Sequence, residues 1–298
     1  MSLVDVLFLL LAGFAASAVN ALAGGGSLIT FPTLIALGLP PVAANVTNSL
    51  GVSPGYVASV VGSRHDLADL ARRRGRGTLL SLLPTSVIGT AAGCAILLAT
   101  PGRAFELVVP FLILGATAVL AFQRRIRALV GHPRDLSPQQ RTSRDVPRSS
   151  SLTARHVARQ PQSHDAPRSS SLKARHVARQ RALALHALVF LGSAYGGYFG
   201  AALGVMLVAG LALVLDESLR YVSALKNAIS AVAGLVTVVA FAIFGPVDWV
   251  AVAVLVPATL AGGYLGARLL TRLSPGVLRA LIVTIGTVVG VILLLRAL

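Results

Sequence analysis

Long apolar runs dominate the chain, separated by short polar connections that contain proline or glycine. We distinguish ten apolar segments, five before residue 123 and five after residue 182. They are Leu3–Leu22, Leu28–Gly38, Val42–Val61, Leu79–Ala99, Phe105–Phe122, Leu183–Phe199, Leu203–Leu215, Tyr221–Phe244, Trp249–Leu270 and Val277–Leu295. A helix of about 20 residues spans the roughly 30 Å hydrocarbon core of a bilayer. The pattern therefore predicts a bundle of transmembrane helices.

The two halves share one order of segment lengths: long, short, long, long, long. The short segments, Leu28–Gly38 and Leu203–Leu215, cover only about half of the hydrocarbon core and indicate half-helices. Basic residues favour the connections that follow the third, fifth, seventh and ninth segments, which places those connections on the cytoplasmic side. An odd number of segments per half then inserts the second half upside down. We predict an all-α integral membrane protein of two inverted repeats, with about eight full transmembrane helices plus short half-helices.

A basic linker separates the two repeats. The predicted divisions are a first transmembrane repeat over 1–122, a linker over 123–182 and a second repeat over 183–298. Within the linker, the unit Asp145–Gln160 recurs almost unchanged as Asp165–Gln180. We expect a disordered cytoplasmic loop held near anionic lipid headgroups. A regulatory or nucleic-acid-binding role is the alternative; His156 and His176 lack the spacing of metal ligands.

Composition and charge sharpen this picture. With 55% hydrophobic and 12% charged residues and a mean hydropathy of +0.79, the chain is too apolar for a soluble globular protein. The net charge is +16, but the range Gln123–Ala182 alone holds 14 Lys and Arg against 3 Asp, a net of +11. Since the excess is confined largely to one loop, no nucleic-acid partner is expected.

The N-terminal segment has a second interpretation as a signal peptide, because Ala21-Leu22-Ala23 is a small-residue motif of the kind that is cleaved. The residues before it include Asp5 and no base, which is unlike a signal peptide. A glycine break that recurs later in the chain favours a first membrane segment. The single cysteine, Cys94, lies inside an apolar run, so no intrachain disulfide is possible.

Two apolar segments are interrupted by glycines at membrane depth, over 20–32 and over 195–204. The bilayer interior offers no water to backbone groups, so such a break requires protein or a polar cavity to satisfy them. In the first break, Gly24, Gly25 and Gly26 precede Ser27, which we predict to be the N-cap of a half-helix. That terminus would attract an anion. Glycines that serve only tight helix packing are the alternative.

Polar residues also open the third and eighth segments. Asn45 and Asn48 lie in the third, and Lys226 and Asn227 in the eighth. Lys226 either extends its ammonium to the cytoplasmic interface or supplies a charge to an anion, and the sequence leaves both open. The predicted substrate-binding residues are Asn20, Gly24, Gly25, Gly26, Ser27, Thr30, Asn45, Asn48, Tyr195, Tyr198, Lys226 and Asn227.

Acidic residues fall in connections or at segment ends throughout the chain. No carboxylate is placed for a proton relay or a cation site, which favours an anionic or neutral substrate. The stretch Gly51–Gly55 matches the G-x-S-x-G motif of hydrolases, but it lies inside an apolar helix rather than a strand-turn-helix. We therefore predict no enzyme activity, no cofactor and no metal.

The residues of both breaks carry a family resemblance. The stretches Asn20–Pro32, Ala43–Ser49 and Pro54-Gly55, and later Tyr195–Ala201, Ala224–Asn227 and Gly262–Arg268, resemble the sulfite exporter TauE/SafE family. The resemblance covers both halves and implies a transporter of sulfur-containing or other small organic anions in a bacterial-type plasma membrane. The duplicated linker departs from the compact loop usual in that family.

The function that we expect is secondary transport of a small anion such as sulfite, a sulfonate or a carboxylate, around the two glycine breaks. An anion channel or a non-transporting membrane scaffold is the alternative. The partners expected are the small anion and the lipid bilayer, and the oligomeric state stays open.

Overall fold

A computed structural model describes residues 1–22, 25–129, 168–201, 203–215, 217–269 and 275–297. These residues form twelve helices and no strand, which confirms the all-α prediction. The helices are α1 Leu3–Leu22, α2 Ser27–Ala36, α3 Pro41–Gly62, α4 Arg64–Arg74, α5 Arg76–Leu80, α6 Leu82–Ala99, α7 Gly102–Leu129, α8 Arg168–Tyr198, α9 Leu203–Val214, α10 Leu219–Phe244, α11 Trp249–Leu269 and α12 Pro275–Ala297.

Each predicted apolar segment corresponds to one of these helices, and the two short segments become the short helices α2 and α9. By length and composition, four helices among the described residues can cross a membrane: Leu3–Asn20, Arg76–Ala99, Gly102–Val119 and Arg220–Phe244. Shorter apolar helices cover Ser27–Ala36, Leu203–Val214, Trp249–Gly263 and Val283–Leu295. The figure of about eight full transmembrane helices stays a prediction.

Helices α7 and α8 extend into both ends of the predicted linker, and the expected disorder of the linker stays a prediction. Helix α7 continues to Leu129, and α8 begins at Arg168. Both extensions are rich in arginine and alanine, which are good helix formers, and each prolongs an apolar helix that is already nucleated. Residues 130–167, which include the first repeat unit, lie outside the described residues.

The helices pack in matched pairs. Helix α1 packs along α11, and α6 packs along α8. Helix α3 contacts α11 while α10 contacts α6, and the short helices α2 and α9 contact α3 and α10 respectively. In two further pairs, α3 with α10 and α7 with α12, each helix packs against the helix at the equivalent position of the other half. The faces that meet in these pairs form the buried core.

Glycine allows α1 to approach α11 closely, and α6 to approach α8 closely. A Cβ atom on Gly262 of α11 would lie 2.2 Å from the Phe14 carbonyl oxygen of α1. A Cβ atom on Gly197 of α8 would likewise lie 2.2 Å from the Thr90 carbonyl oxygen of α6. Neither separation is possible for real atoms, so both positions require glycine. This is the small-residue packing that membrane helices use.

Helices α4 and α5 were not predicted, because α4 is rich in arginine and α5 has only five residues. Helix α4 buries Leu70 and exposes its basic residues. Arg72 donates a hydrogen bond to Asp69 and holds the pKa of that carboxyl below its usual range. Two further ion pairs hold α4, the first to the segment between α9 and α10 and the second to α10 itself. They are Arg74 with Glu217, at 2.9 Å, and Arg220 with Asp66.

Candidate functional site

The first glycine break lies between the end of α1 and the start of α2. Gly26 occupies the N-cap position with φ −59° and ψ −38°, and Ser27 is the first helical residue with no side-chain cap. The prediction that Ser27 is the N-cap is therefore wrong by one residue. A Cβ atom on Gly26 would lie 2.1 Å from the Ala16 carbonyl oxygen, so this glycine also serves helix packing. Gly25 is buried beside it, and Gly24 lies outside the described residues.

The second break lies between α8 and α9. Gly200 has φ +73°, a left-handed conformation that favours glycine, and its N–H donates to the Tyr195 carbonyl oxygen at 3.1 Å. The Tyr195 hydroxyl donates to the Ala201 carbonyl oxygen at 2.8 Å. Tyr195 therefore fastens the break to the last turns of α8.

One small cavity touches both breaks. Ser27 contributes from the first break, and Gly196, Phe199, Gly200 and Leu203 contribute from the second. The cavity is completed by one face of α3 and one face of α10, through Ser49, Val52, Ser53, Tyr56, Ser230, Ala233, Gly234 and Thr237. Its volume is about 20 Å³, room for about one water molecule. Two breaks that are far apart in sequence thus meet at one polar, uncharged cavity.

Hydroxyl groups spaced by about one helical turn form the α3 wall. The Ser49 hydroxyl donates to the Asn45 carbonyl oxygen at 2.9 Å, and the Ser53 hydroxyl donates to the Ser49 carbonyl oxygen at 2.6 Å. Because these donors are used within α3, the oxygen lone pairs are left for the cavity. The Tyr56 hydroxyl interacts with the side chains of Ser27 and Asn20, which links α3 to the first break.

The α10 wall lies opposite. Lys226, Ser230, Ala233 and Thr237 share one face of α10 by their spacing of three and four residues. The Thr237 hydroxyl donates to the Gly234 carbonyl oxygen at 2.8 Å. No hydrogen bond of the Ser230 hydroxyl is found among the described residues, although Ser230 is buried. Ser230 is therefore the α10 hydroxyl that is free to bind a solute.

The predicted asparagines of α3 bind protein instead of lining the cavity. Thr30 donates a hydrogen bond to the Asn48 side-chain oxygen and so joins α2 to α3. The Asn45 side-chain nitrogen donates to the Tyr198 carbonyl oxygen at 2.9 Å and so joins α3 to the end of α8. The Asn45 Oδ1 atom is buried without a partner in the described part of the chain. These residues hold the breaks in place around the cavity.

Lys226 lies one helical turn from Ser230, outside the cavity wall. The residue is 7% exposed, and among the described residues it has no hydrogen-bond or ion-pair partner. An ammonium group that extended to an interface would remain exposed, so this burial favours the anion hypothesis over the interfacial one. Asn227 points elsewhere, since it donates to the Ser59 carbonyl at 3.4 Å and the Ser63 hydroxyl at 3.2 Å.

Sequence reasoning named one of the cavity's polar side chains, Ser27, and missed the others: Ser49, Ser53, Tyr56, Ser230 and Thr237. Their one-turn spacing on α3 and α10 was a usable signal. Tyr198 packs its ring against Phe105, with centroids 5.8 Å apart, and offers only its carbonyl. In the described part of the chain, no three His, Cys, Asp or Glu side chains lie close enough together to hold a metal ion.

The G-x-S-x-G stretch Gly51–Gly55 lies wholly within α3. The strand-turn-helix context that a hydrolase nucleophile needs is therefore absent at this position. Ser53 instead faces the cavity and hydrogen-bonds backbone carbonyls.

Comparison with known proteins shows which family the chain belongs to. The sequence profile described as "Sulfite exporter TauE/SafE" matches residues 9–293, which span both breaks, the cavity and the linker. The chain belongs to the sulfite exporter TauE/SafE family. This TauE/SafE family member is accordingly a multi-pass membrane protein.

Two curated relatives of this family member are named as probable membrane transporter proteins. One, "Probable membrane transporter protein ORF9" from Sinorhizobium sp., is 35% identical over 111 residues, 36% of this chain and 39% of the relative. The other, from Haemophilus influenzae, is 32% identical over 125 residues, 41% of this chain and 47% of the relative. The chain thus spans less than half the length of these relatives. No solved structure matches this TauE/SafE family member.

Proposed function

We propose that this protein is a secondary transporter of a small anion, working by alternating access around the cavity between the two breaks. The observation that carries the proposal is the meeting of both breaks at one cavity. Broken helices that face each other near the membrane midplane are the usual substrate site of transporters built from two repeats. The names of the two relatives, which describe probable membrane transporters, agree with this function.

The direction of the helices supports an inverted repeat. Ser53 of α3 contacts Gly234 of α10, and Ser59 of α3 contacts Asn227 of α10, so these two helices run antiparallel. They occupy equivalent positions in the two halves. An axis in the membrane plane reverses equivalent helices, whereas an axis along the membrane normal would leave them parallel.

The second pair of equivalent helices, α7 and α12, also supports an inverted repeat. Gly286 of α12 lies against Thr117 of α7, and Gly290 lies against Leu114, so α7 and α12 are antiparallel as well. By their order in the two halves, α1 corresponds to α8 and α11 corresponds to α6. Exchanging the two halves therefore converts the packed pair α1 and α11 into the packed pair α8 and α6. The two helices of each pair run parallel. In the pair α1 and α11, Gly13 lies against Ala258 and Ser17 lies against Gly263. In the pair α6 and α8, Ser86 lies against Ser193 and Thr90 lies against Gly197. Rocking of one half against the other would then open the cavity to either side in turn.

The charges favour an anion. Among the described residues no Asp or Glu is buried, whereas Lys226 is 7% exposed and lies one turn from the cavity. A buried ammonium without a carboxylate is stabilised by an anionic solute. Sulfite, sulfonates and carboxylates are small anions of this kind, and the family description favours the sulfur oxyanions. We place the protein in the plasma membrane, with the basic linker in the cytoplasm beside anionic headgroups.

The test is flux through purified protein in liposomes, with sulfite, methanesulfonate and acetate as the probes. A carrier gives saturable uptake that is stimulated by unlabelled anion on the opposite side. Conductance that rises linearly with concentration would indicate an anion channel. No movement of any of the three anions, from protein that is folded and inserted, would favour a membrane scaffold and overturn the proposal.

A further inference from the structure

We propose that Lys226 carries one proton across the membrane with each anion, so that transport is an electroneutral anion–proton symport. This inference rests on the proposed function and names its energy coupling. It starts from one contrast in the described residues: Lys226 is nine-tenths buried, and no hydrogen bond or ion pair engages it.

The surroundings of Lys226 offer no fixed counter-charge. Helix α10 packs against α3, α4, α6, α8 and α9. The ionisable residues with described side chains on those helices are Tyr56 on α3; Arg64, His65, Asp66, Asp69, Arg72, Arg73 and Arg74 on α4; Cys94 on α6; and Arg179, Arg181, His186, Tyr195 and Tyr198 on α8; α9 has none. Helix α10 itself adds Arg220 and Tyr221.

The two carboxylates in this set are already engaged. Asp66 pairs with Arg220, and Asp69 pairs with Arg72. Of the remaining groups, His186 bonds the Ala182 carbonyl and Tyr195 bonds the Ala201 carbonyl. Among the described side chains, none of these is free to neutralise an ammonium on Lys226, so we assign the compensating charge to a solute.

The charge state of Lys226 then follows the occupancy of the site. A lone charge in the protein interior costs several kcal/mol, and the group either takes a counter-ion or becomes neutral. With an anion bound, the ammonium and the anion offset each other. When the anion leaves, the proton leaves from the lysine nitrogen, and the empty protein returns with a neutral amine.

One cycle therefore moves one anion and one proton in the same direction and no net charge. Lysine loses and regains one N–H bond, and no other group changes. A pH difference of one unit would sustain about a tenfold anion gradient, because one unit is worth about 1.4 kcal/mol. Acidity on one side would then drive the anion towards the other.

The experiment uses liposomes that contain the full-length protein and a pH-sensitive dye, with methanesulfonate as the probe. This anion of a strong acid brings no proton of its own at neutral pH. We expect wild-type uptake to acidify the lumen with one proton per anion, and a membrane potential set with potassium and valinomycin to leave the rate unchanged within about twofold. Saturable uptake without proton movement would overturn the inference while leaving the proposed function standing.

Arginine at this position keeps a positive charge but does not release its proton. We expect Lys226→Arg to retain exchange of labelled for unlabelled anion and to lose net uptake by at least tenfold. Lys226→Gln should lose both, because the attracting charge is gone. The chain has one other lysine, Lys173, and Lys173→Arg is the matched control that should behave as wild type.

Two further outcomes are decisive. Wild-type net uptake and acidification retained in Lys226→Arg would overturn the role of Lys226. If sulfite is carried and methanesulfonate is not, sulfite becomes the probe. The comparison of exchange with net uptake in Lys226→Arg then still decides whether Lys226 carries the proton, since this comparison needs no pH dye. Failure of Lys226→Arg to fold leaves the wild-type proton measurement, which alone can refute the coupling.

Discussion

The Ser53 hydroxyl of α3 lies 3.3 Å from the Gly234 carbonyl oxygen of α10, at the level of the cavity. A Cβ atom on Gly234 would lie 3.0 Å from the Ser53 hydroxyl oxygen and 3.2 Å from the Tyr56 ring. The two equivalent helices of the halves therefore touch at the candidate site. Glycine at position 234 is what leaves space for a solute.

Filling that space should stop transport without unfolding the protein. We expect Gly234→Leu to lower anion flux by at least about tenfold, equivalent to roughly 1.4 kcal/mol, because the new side chain occupies the cavity. The measurement is initial uptake in liposomes. Gly115→Leu is the control, since a Cβ atom there meets nothing within 4 Å. Normal flux through Gly234→Leu would place the pathway elsewhere.

Helix packing at the close pairs should be sensitive to a single methyl group. Gly197→Ala puts a Cβ atom against the Thr90 carbonyl, and overpacking of this kind costs about 1–3 kcal/mol. We expect the thermal unfolding temperature to fall by several degrees, measured by fluorescence on purified protein, and Gly115→Ala to change it little. Equal stability of the two variants would contradict the glycine-mediated contact between α6 and α8.

Two threonines on α2 form a matched pair. Thr30 donates to the side chain of Asn48 on another helix, whereas Thr33 donates to the Ile29 carbonyl of its own helix at 2.8 Å. Thr30→Val leaves a buried amide oxygen without a donor, at a cost of about 1–3 kcal/mol. Thr33→Val leaves no such orphan. We expect the first variant to unfold at the lower temperature, and the reverse order would show that the Asn48 contact is dispensable.

The ion pair between α4 and α10 should respond to charge exchange. Arg220→Asp sets two like charges against each other at Asp66, and hydrogen exchange of the α4 amides should rise severalfold. The double variant Asp66→Arg, Arg220→Asp should restore protection, because the pair is re-formed with its signs reversed. Exposed pairs contribute at most about 1 kcal/mol, so global stability should change little. Unchanged exchange of the α4 amides in Arg220→Asp would mean that this ion pair does not hold α4.

Much of the fold follows from the sequence because bilayer thickness constrains helix length strongly. The ten helices with apolar sequences and the shortness of α2 and α9 were predicted from run lengths alone. Helix α5 was missed because it has only five residues. Helix α4 was missed because a helix rich in arginine has no apolar signature, and Leu70 shows its role only by being buried. The arginine-rich ends of α7 and α8 were missed for the same reason.

The candidate site was harder to predict than the fold. Both glycine breaks were found, since glycine clusters at membrane depth are rare and conspicuous. The asparagines were chosen for polarity, yet Asn45 and Asn48 are engaged by Tyr198 and Thr30. The serines that line the cavity show their one-turn spacing within a helix in the sequence, but not which other helix they face. They are brought together only by the antiparallel contact of α3 and α10, which is a long-range feature.

The smallness of the cavity has a consequence for the cell. With about 20 Å³ between the breaks, the cavity holds about one water molecule, which is too little for a file of water through it. An unoccupied copy of the protein would then pass no ions through this cavity, and the ion gradients and the membrane potential would be spared that leak. A cell could hold many copies in readiness without loss of stored energy by this route.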